Sequence, residues 1–70
     1  MQIKQGLEIT TSFLHDSKGI KANQSYIAAR RANVKGRVLR CVPGNGGDVW
    51  FVEHHDTRDI AVYSSLELTQ

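Results

Sequence analysis

The sequence predicts an all-β fold, a small barrel of about five short antiparallel strands with a 3₁₀ turn before the last strand. Three observations carry that expectation. Residues 48–55 (DVWFVEHH) and 59–63 (DIAVY) are two β-rich runs separated by a polar turn, which reads as a hairpin. Residues 43–47 (PGNGG) are a dense cluster of turn formers. Residues 64–68 (SSLEL) then return apolar side chains to the same core after one tight turn.

The elements follow in order. Leu7, Ile9, Thr11 and Phe13 alternate with Glu8, Thr10 and Ser12, which suits a strand, and residues 15–19 (HDSKG) read as a loop. Residues 1–24 are therefore an N-terminal strand, with a mobile extension as the alternative. Residues 25–31 (SYIAARR) are ambiguous: Ala-Ala-Arg-Arg favours helix, Tyr26 and Ile27 favour strand. A helix there lacks a useful apolar stripe, so the reading is a short strand and a loop from Asn33 to Gly36, with a short helix as the alternative.

Residues 36–42 (GRVLRCV) make the next strand, ending at the turn cluster. Pro-Gly suits a type II turn and Asn-Gly a primed hairpin turn, and either pairs this strand with residues 49–55. Residues 55–59 form the following turn, 60–63 a strand, 64–66 one 3₁₀ turn, and 67–68 the start of a last strandlet. No repeat or linker divides the chain, so residues 25–70 are the barrel of a single domain. Strand, long basic loop, Gly-led strand, two hairpins, 3₁₀ turn, strandlet: that order is the order of an SH3-like barrel.

Length and composition bound the function. Seventy residues bury a small fraction of their surface, and the core is marginal unless supplemented. The lone Cys41 permits no intrachain disulfide and reads as a small buried thiol in a reducing compartment. Self-association then becomes a candidate source of stability. No apolar stretch approaches the ~20 residues of a membrane span, and MQIKQG lacks the apolar run of a signal peptide. A soluble cytoplasmic protein without a membrane partner is expected. The net charge is +2, unevenly spread: residues 17–47 hold seven of the nine Lys/Arg and no acid, and residues 48–70 hold five of the seven acids and one Arg.

Residues 35–39 (KGRVL), 50–53 (WFVE), 60–63 (IAVY) and the Leu66-Glu67 close carry a likeness. Over residues 25–68 the chain resembles the plasmid-borne type II dihydrofolate reductases, SH3-like barrels assembled as tetramers around a central pore. The resemblance implies the fold and the use of this face for assembly. The family's pore strand reads Val-Gln-Ile-Tyr; here Ala61 stands where the glutamine contacts folate and nicotinamide, while Tyr63 matches. The family's first-strand lysine falls at Ala28 or Ala29. These departures argue against reductase activity and against its cofactor, since fold alone does not carry function. A reductase-like tetramer of altered specificity stays as a distant third reading.

Strand alternation gives the leading site. With Trp50 and Val52 facing inward beside Ile60 and Val62, the residues Val49, Phe51, Ala61 and Tyr63 point outward. An aromatic pair on an outer sheet face marks a contact surface. The leading reading is thus a non-enzymatic interaction module that self-associates, or meets a protein partner, through Val49, Phe51, Ala61 and Tyr63. The competing reading of that patch is cover by the N-terminal segment, with Ile9 or Phe13 across it.

The alternative function is nucleic-acid binding by the basic stretch. Lys18, Lys21, Arg30, Arg31, Lys35, Arg37 and Arg40 could meet phosphates, with Tyr26 as a stacking surface. The modest net charge weighs against it. Other chemistry is weak. His54 and His55 are adjacent on a strand, point to opposite faces and do not share an ion easily; with His15, Asp16, Asp56 and Asp59 they read as solvated turn residues. The serines (Ser12, Ser17, Ser25, Ser64, Ser65) lack a nucleophile elbow, and residues 44–47 lack the Lys-Ser/Thr and the helix of a phosphate loop. No catalytic residue, metal or cofactor is assigned.

Overall fold

The computed structural model describes residues 3–15, 20–43 and 47–70. Lys18, Asp16, Ser17 and the centre of the Pro-Gly-Asn-Gly-Gly turn lie outside the described residues. Five strands form one open antiparallel sheet: β1 (Glu8–Thr11), β2 (Lys35–Val42), β3 (Val49–His54), β4 (Ile60–Tyr63) and β5 (Leu68–Thr69). Their order across the sheet is β4-β3-β2-β1-β5. A 3₁₀ turn, Ser65–Glu67, precedes β5 as the sequence suggests. Among the described residues no ladder joins β4 to β5, so the sheet is open rather than a closed barrel.

The alternation of Ile9 and Thr11 appears as β1, with both side chains buried. β1 lies between two partners. It pairs with β2 through Glu8–Arg37 and Thr10–Lys35, and with β5 through Thr10–Thr69 and Thr11–Leu68.

The strand expected in residues 25–31 is instead a five-residue helix, α1 (Gln24–Ala28). The alanine-rich stretch prevails because no residue of the helix has to be fully buried: Tyr26 and Ile27, both half-buried, suffice to pack it against the sheet. β2 carries a bulge between Val38 and Arg40, which leaves Leu39 extra against β3 and bends the strand. Gly36, the second residue of β2, is glycine for a packing reason: a Cβ there would lie 2.6 Å from the Glu53 carbonyl oxygen and 2.7 Å from a Val52 methyl.

The register of the β3–β4 hairpin corrects the expected faces. Trp50 opposes Tyr63, Phe51 opposes Val62 and Val52 opposes Ala61. Even-numbered positions of β3 therefore share a face with odd-numbered positions of β4. The intervening turn sets this phase, with Arg58 at φ 66° and its N–H bonded to the His54 carbonyl. A one-residue change of phase exchanges the faces of a strand. Phe51 and Tyr63 accordingly lie on opposite sides of the sheet.

Each side has its own core. Ile9, Val38, Val52, Ala61, Tyr63 and Leu68 form one, flanked by Leu7, Leu14 and Trp50. Val49, Phe51 and Val62 form the other, beneath Ile20, Ala22, Tyr26, Ile27 and Leu39. No described helix is long and apolar enough to cross a membrane.

Candidate interaction surface

The expected outward patch is buried within the chain. Phe51 is 7% exposed and Tyr63 0%, and Val49 and Ala61 are buried with them. Residues 20–27 cover Phe51, and Tyr26 meets its ring edge-on at 5.3 Å. Tyr63 is enclosed in the other core beside Ile9. Intramolecular cover is thus the outcome at both aromatics, and Phe13 takes no part in it. Ala61 and Tyr63, aligned with the reductase pore strand, face this core and no open surface.

The basic stretch is not a free patch either. Arg30 forms a buried ion pair with Glu67. Arg31 holds Asp56 through two bonds, Nη1 to Oδ1 at 3.0 Å and Nη2 to Oδ2 at 2.9 Å. Arg37 donates to Glu8 at 3.0 Å, and the Arg40 guanidinium sits 4.3 Å over the Phe51 ring. Lys21 and Lys35 are exposed, and Tyr26 is half-buried against Phe51. Acids that the sequence places elsewhere have folded onto Arg30, Arg31 and Arg37, while Arg40 stacks on an aromatic ring.

His54 and His55 do face opposite ways. His55 is exposed and bonded to Glu8, but His54 is not the solvated turn residue expected: it ends β3, is 0% exposed and is enclosed beside Tyr63. Cys41 is half-buried, and burial, with Asp48 assisting, pushes its thiol above the usual range.

Three large apolar side chains are exposed among the described residues: Val42 at the end of β2, at 41%, and two that stand out further. Phe13 is 77% exposed and Leu66 78%. They belong to two segments fastened side by side. Ser12 N–H donates to the Glu67 carbonyl at 2.8 Å, and His15 N–H donates to Glu67 Oε2 at 2.6 Å. Leu14, between Phe13 and His15, anchors the first segment in the core. Glu67 Oε1 accepts from Ser64 N–H at 3.0 Å, as in a capping box, and orients the 3₁₀ turn that carries Leu66. Arg30 Nη2 binds the same Glu67 carboxylate and the His15 carbonyl, at 3.1 Å. Glu67 thus holds both halves of the surface from beneath.

A second polar group lies behind it. His54 Nε2 is 2.6 Å from the Tyr63 hydroxyl. That hydroxyl accepts the Arg31 N–H at 2.9 Å and donates to the Arg31 carbonyl at 3.2 Å. Thr11 Oγ1 also donates to the Arg31 carbonyl, at 2.7 Å, and accepts the Val34 N–H. Burial pushes the His54 pKa below its usual range, with the Arg31 charge adding to the effect and Asp56 and Asp59 opposing it. Burial pushes Tyr63 upward.

Sequence reasoning missed Phe13 and Leu66 as a pair. Phe13 is in phase with Ile9 and Thr11, so alternation assigns it to the core. β1 ends at Thr11, and the chain turns before Phe13 is reached. The one legible signal was Glu67, a lone acid in an apolar closing segment.

No protein-family model matches the chain, and neither the curated proteins nor the solved structures contain a match to it.

Proposed function

We propose that this chain is a non-enzymatic interaction module on a small SH3-like barrel left open between β4 and β5, and that it self-associates through Phe13 and Leu66. The strand order, the bulge in β2 and the 3₁₀ turn before β5 support the barrel reading. The carrying observation is two large apolar side chains, each more than three-quarters exposed, on segments that a buried carboxylate fastens together. Exposed large apolar side chains carried on one fastened unit suit a contact site. A free thiol and no disulfide suit the cytoplasm.

Charge favours a second copy as the occupant. The exposed described residues of both segments are Phe13, His15, Ser65, Leu66, Thr69 and Gln70, and none carries a fixed charge. Two copies can therefore meet without like-charge repulsion. Magnitudes set the strength. Fully burying a large apolar side chain stabilises by roughly 1.5–3 kcal/mol, so four per dimer give roughly 6–12 kcal/mol. Association costs on the order of 4–15 kcal/mol. Only the favourable ends of the two ranges leave about 8 kcal/mol, the micromolar scale, so the dimer is weak and micromolar at its tightest.

Support for catalysis is slight. A shallow open depression of about 300 Å³ is lined by Glu8, Ile9, Thr10, Lys35 and Gln70, away from the buried His54 and Tyr63. Light scattering after size exclusion, over a concentration series, tests the proposal. A concentration-dependent dimer that Phe13→Asp and Leu66→Asp each convert to a folded monomer supports it. A native monomer at every concentration refutes it.

A further inference from the structure

We propose that His54 is an acid-sensitive latch that controls the Phe13–Leu66 surface. This rests on the self-association reading above.

The hydrogen-bond network assigns the proton of neutral His54 to Nε2. Nε2–H then donates to the Tyr63 oxygen, which leaves the single Tyr63 proton for the Arg31 carbonyl. The Arg31 N–H completes the set at the same oxygen. In this state one acceptor lone pair is left over: Nδ1 is buried and has no partner among the described residues. That unmet acceptor is uncharged, which keeps its burial cost to the smaller, neutral-group case.

Protonation changes that. The imidazolium would bear a second N–H at Nδ1, in a site with no exposure and no described acceptor. A buried donor without a partner is destabilising, and more so when it carries charge. The surrounding charges do not compensate. From β4 the facing titratable group is Tyr63; from the segment after α1 it is Arg31, which is cationic; from the β3–β4 turn they are Asp56 and Asp59. Asp56 is already taken by Arg31. On β2 the register partner is Gly36, which offers no side chain, and on β1 the neighbour of the Arg31 carbonyl is the uncharged Thr11. The closed site therefore excludes the charged form, and the proton enters when the His54–Tyr63 contact opens.

Opening is transmitted through two consecutive residues. Tyr63 holds the backbone of Arg31, and the preceding side chain, Arg30, holds the His15 carbonyl and the Glu67 carboxylate. Release of Arg31 loosens the grip of Arg30 on both segments that present Phe13 and Leu66. Acid thus disassembles the surface from behind.

The test follows three readouts on the full chain from pH 7.5 to 5: imidazole nitrogen shifts of His54, amide exchange at Arg31 and His15 corrected for intrinsic rate, and the dimer dissociation constant. Native protein should keep His54 neutral until the Arg31 and His15 amides lose protection together. Dissociation should rise by up to about tenfold per pH unit below histidine's ordinary range, since one proton is taken up. His54→Gln, which keeps a donor toward Tyr63 and does not titrate, should stay within about threefold across the range. Titration of His54 with Arg31 protection unchanged overturns the latch. Equal acid loss in native and His54→Gln protein overturns it as well. If the native chain is monomeric at pH 7.5, self-association fails and the exchange measurements decide the latch alone. They do so equally if the variant does not fold.

Discussion

Arg30 and Glu67 meet as an ion pair with both side chains buried, 5% and 1% exposed, across 37 residues of chain. Glu67 also accepts two backbone N–H groups, from Ser64 and His15. One carboxylate therefore joins the loop after β1, the end of the α1 segment and the 3₁₀ turn. Removing one partner of such a pair leaves an uncompensated buried charge. Glu67→Ala should lower stability by about 3–5 kcal/mol, read as a shift in the urea midpoint without a change of slope. Reversing Arg30 and Arg31 together should unfold the chain by the same logic, and not merely subtract surface charge.

Phe51 and Phe13 should respond in opposite ways. Phe51→Ala opens a cavity under Tyr26 and Ile27 and should destabilise the monomer by about 3–5 kcal/mol. Phe13→Ala touches an exposed side chain and should leave monomer stability within about 0.5 kcal/mol. Its effect should appear in the dissociation constant of the dimer. Denaturation at low concentration beside sedimentation at high concentration separates the two.

Gly36→Ala places a methyl against the Glu53 carbonyl and Val52, where backbone has to move. A cost of about 1–3 kcal/mol is expected from overpacking. Thermal unfolding should show it, with amide exchange faster along the β2–β3 ladder than along β1–β5.

Acid should act in two separate windows. His54 has a depressed pKa in the fold, so its contribution is complete above its ordinary value of 6.5 and is lost as pH falls below it. Asp56 is held down to about 2, chiefly by the Arg31 side chain, against an ordinary 3.8. Its contribution is complete above 3.8 and is lost as pH falls from there toward 2. Asp56→Asn should flatten the stability profile in the lower window and, by removing a charge that opposes the His54 shift, deepen the loss in the upper one. Urea midpoints at half-unit steps check both.

The hairpins were legible because their signals are local. Gly36 to Val42, Val49 to His54 and Ile60 to Tyr63 are bounded by turn residues, and β2, β3 and β4 fall there. The phase between β3 and β4 was not legible. It depends on a backbone conformation at Arg58 that no residue type announces, and that phase decides which aromatics share a face. The arginines misled for another reason. Arg30, Arg31 and Arg37 find acids 25 to 37 positions away, which charge counting along the chain cannot pair. Exposure of Phe13 likewise follows from where β1 stops, set by its pairing with both β2 and β5.

That double pairing of β1 bears on how the molecule is made. β5 is two residues long, and its partner Thr10 lies 59 positions earlier than Thr69. Bringing those positions together carries the largest loop-closure cost in the sheet, with little ladder in return. During folding the β2–β3–β4 meander can zip from local turns, while β1 keeps one edge unpaired until the β5 strandlet arrives. For that interval the folding chain displays an open edge capable of recruiting a foreign strand. The shortest strand of the sheet is therefore the one that shields it from its neighbours in solution.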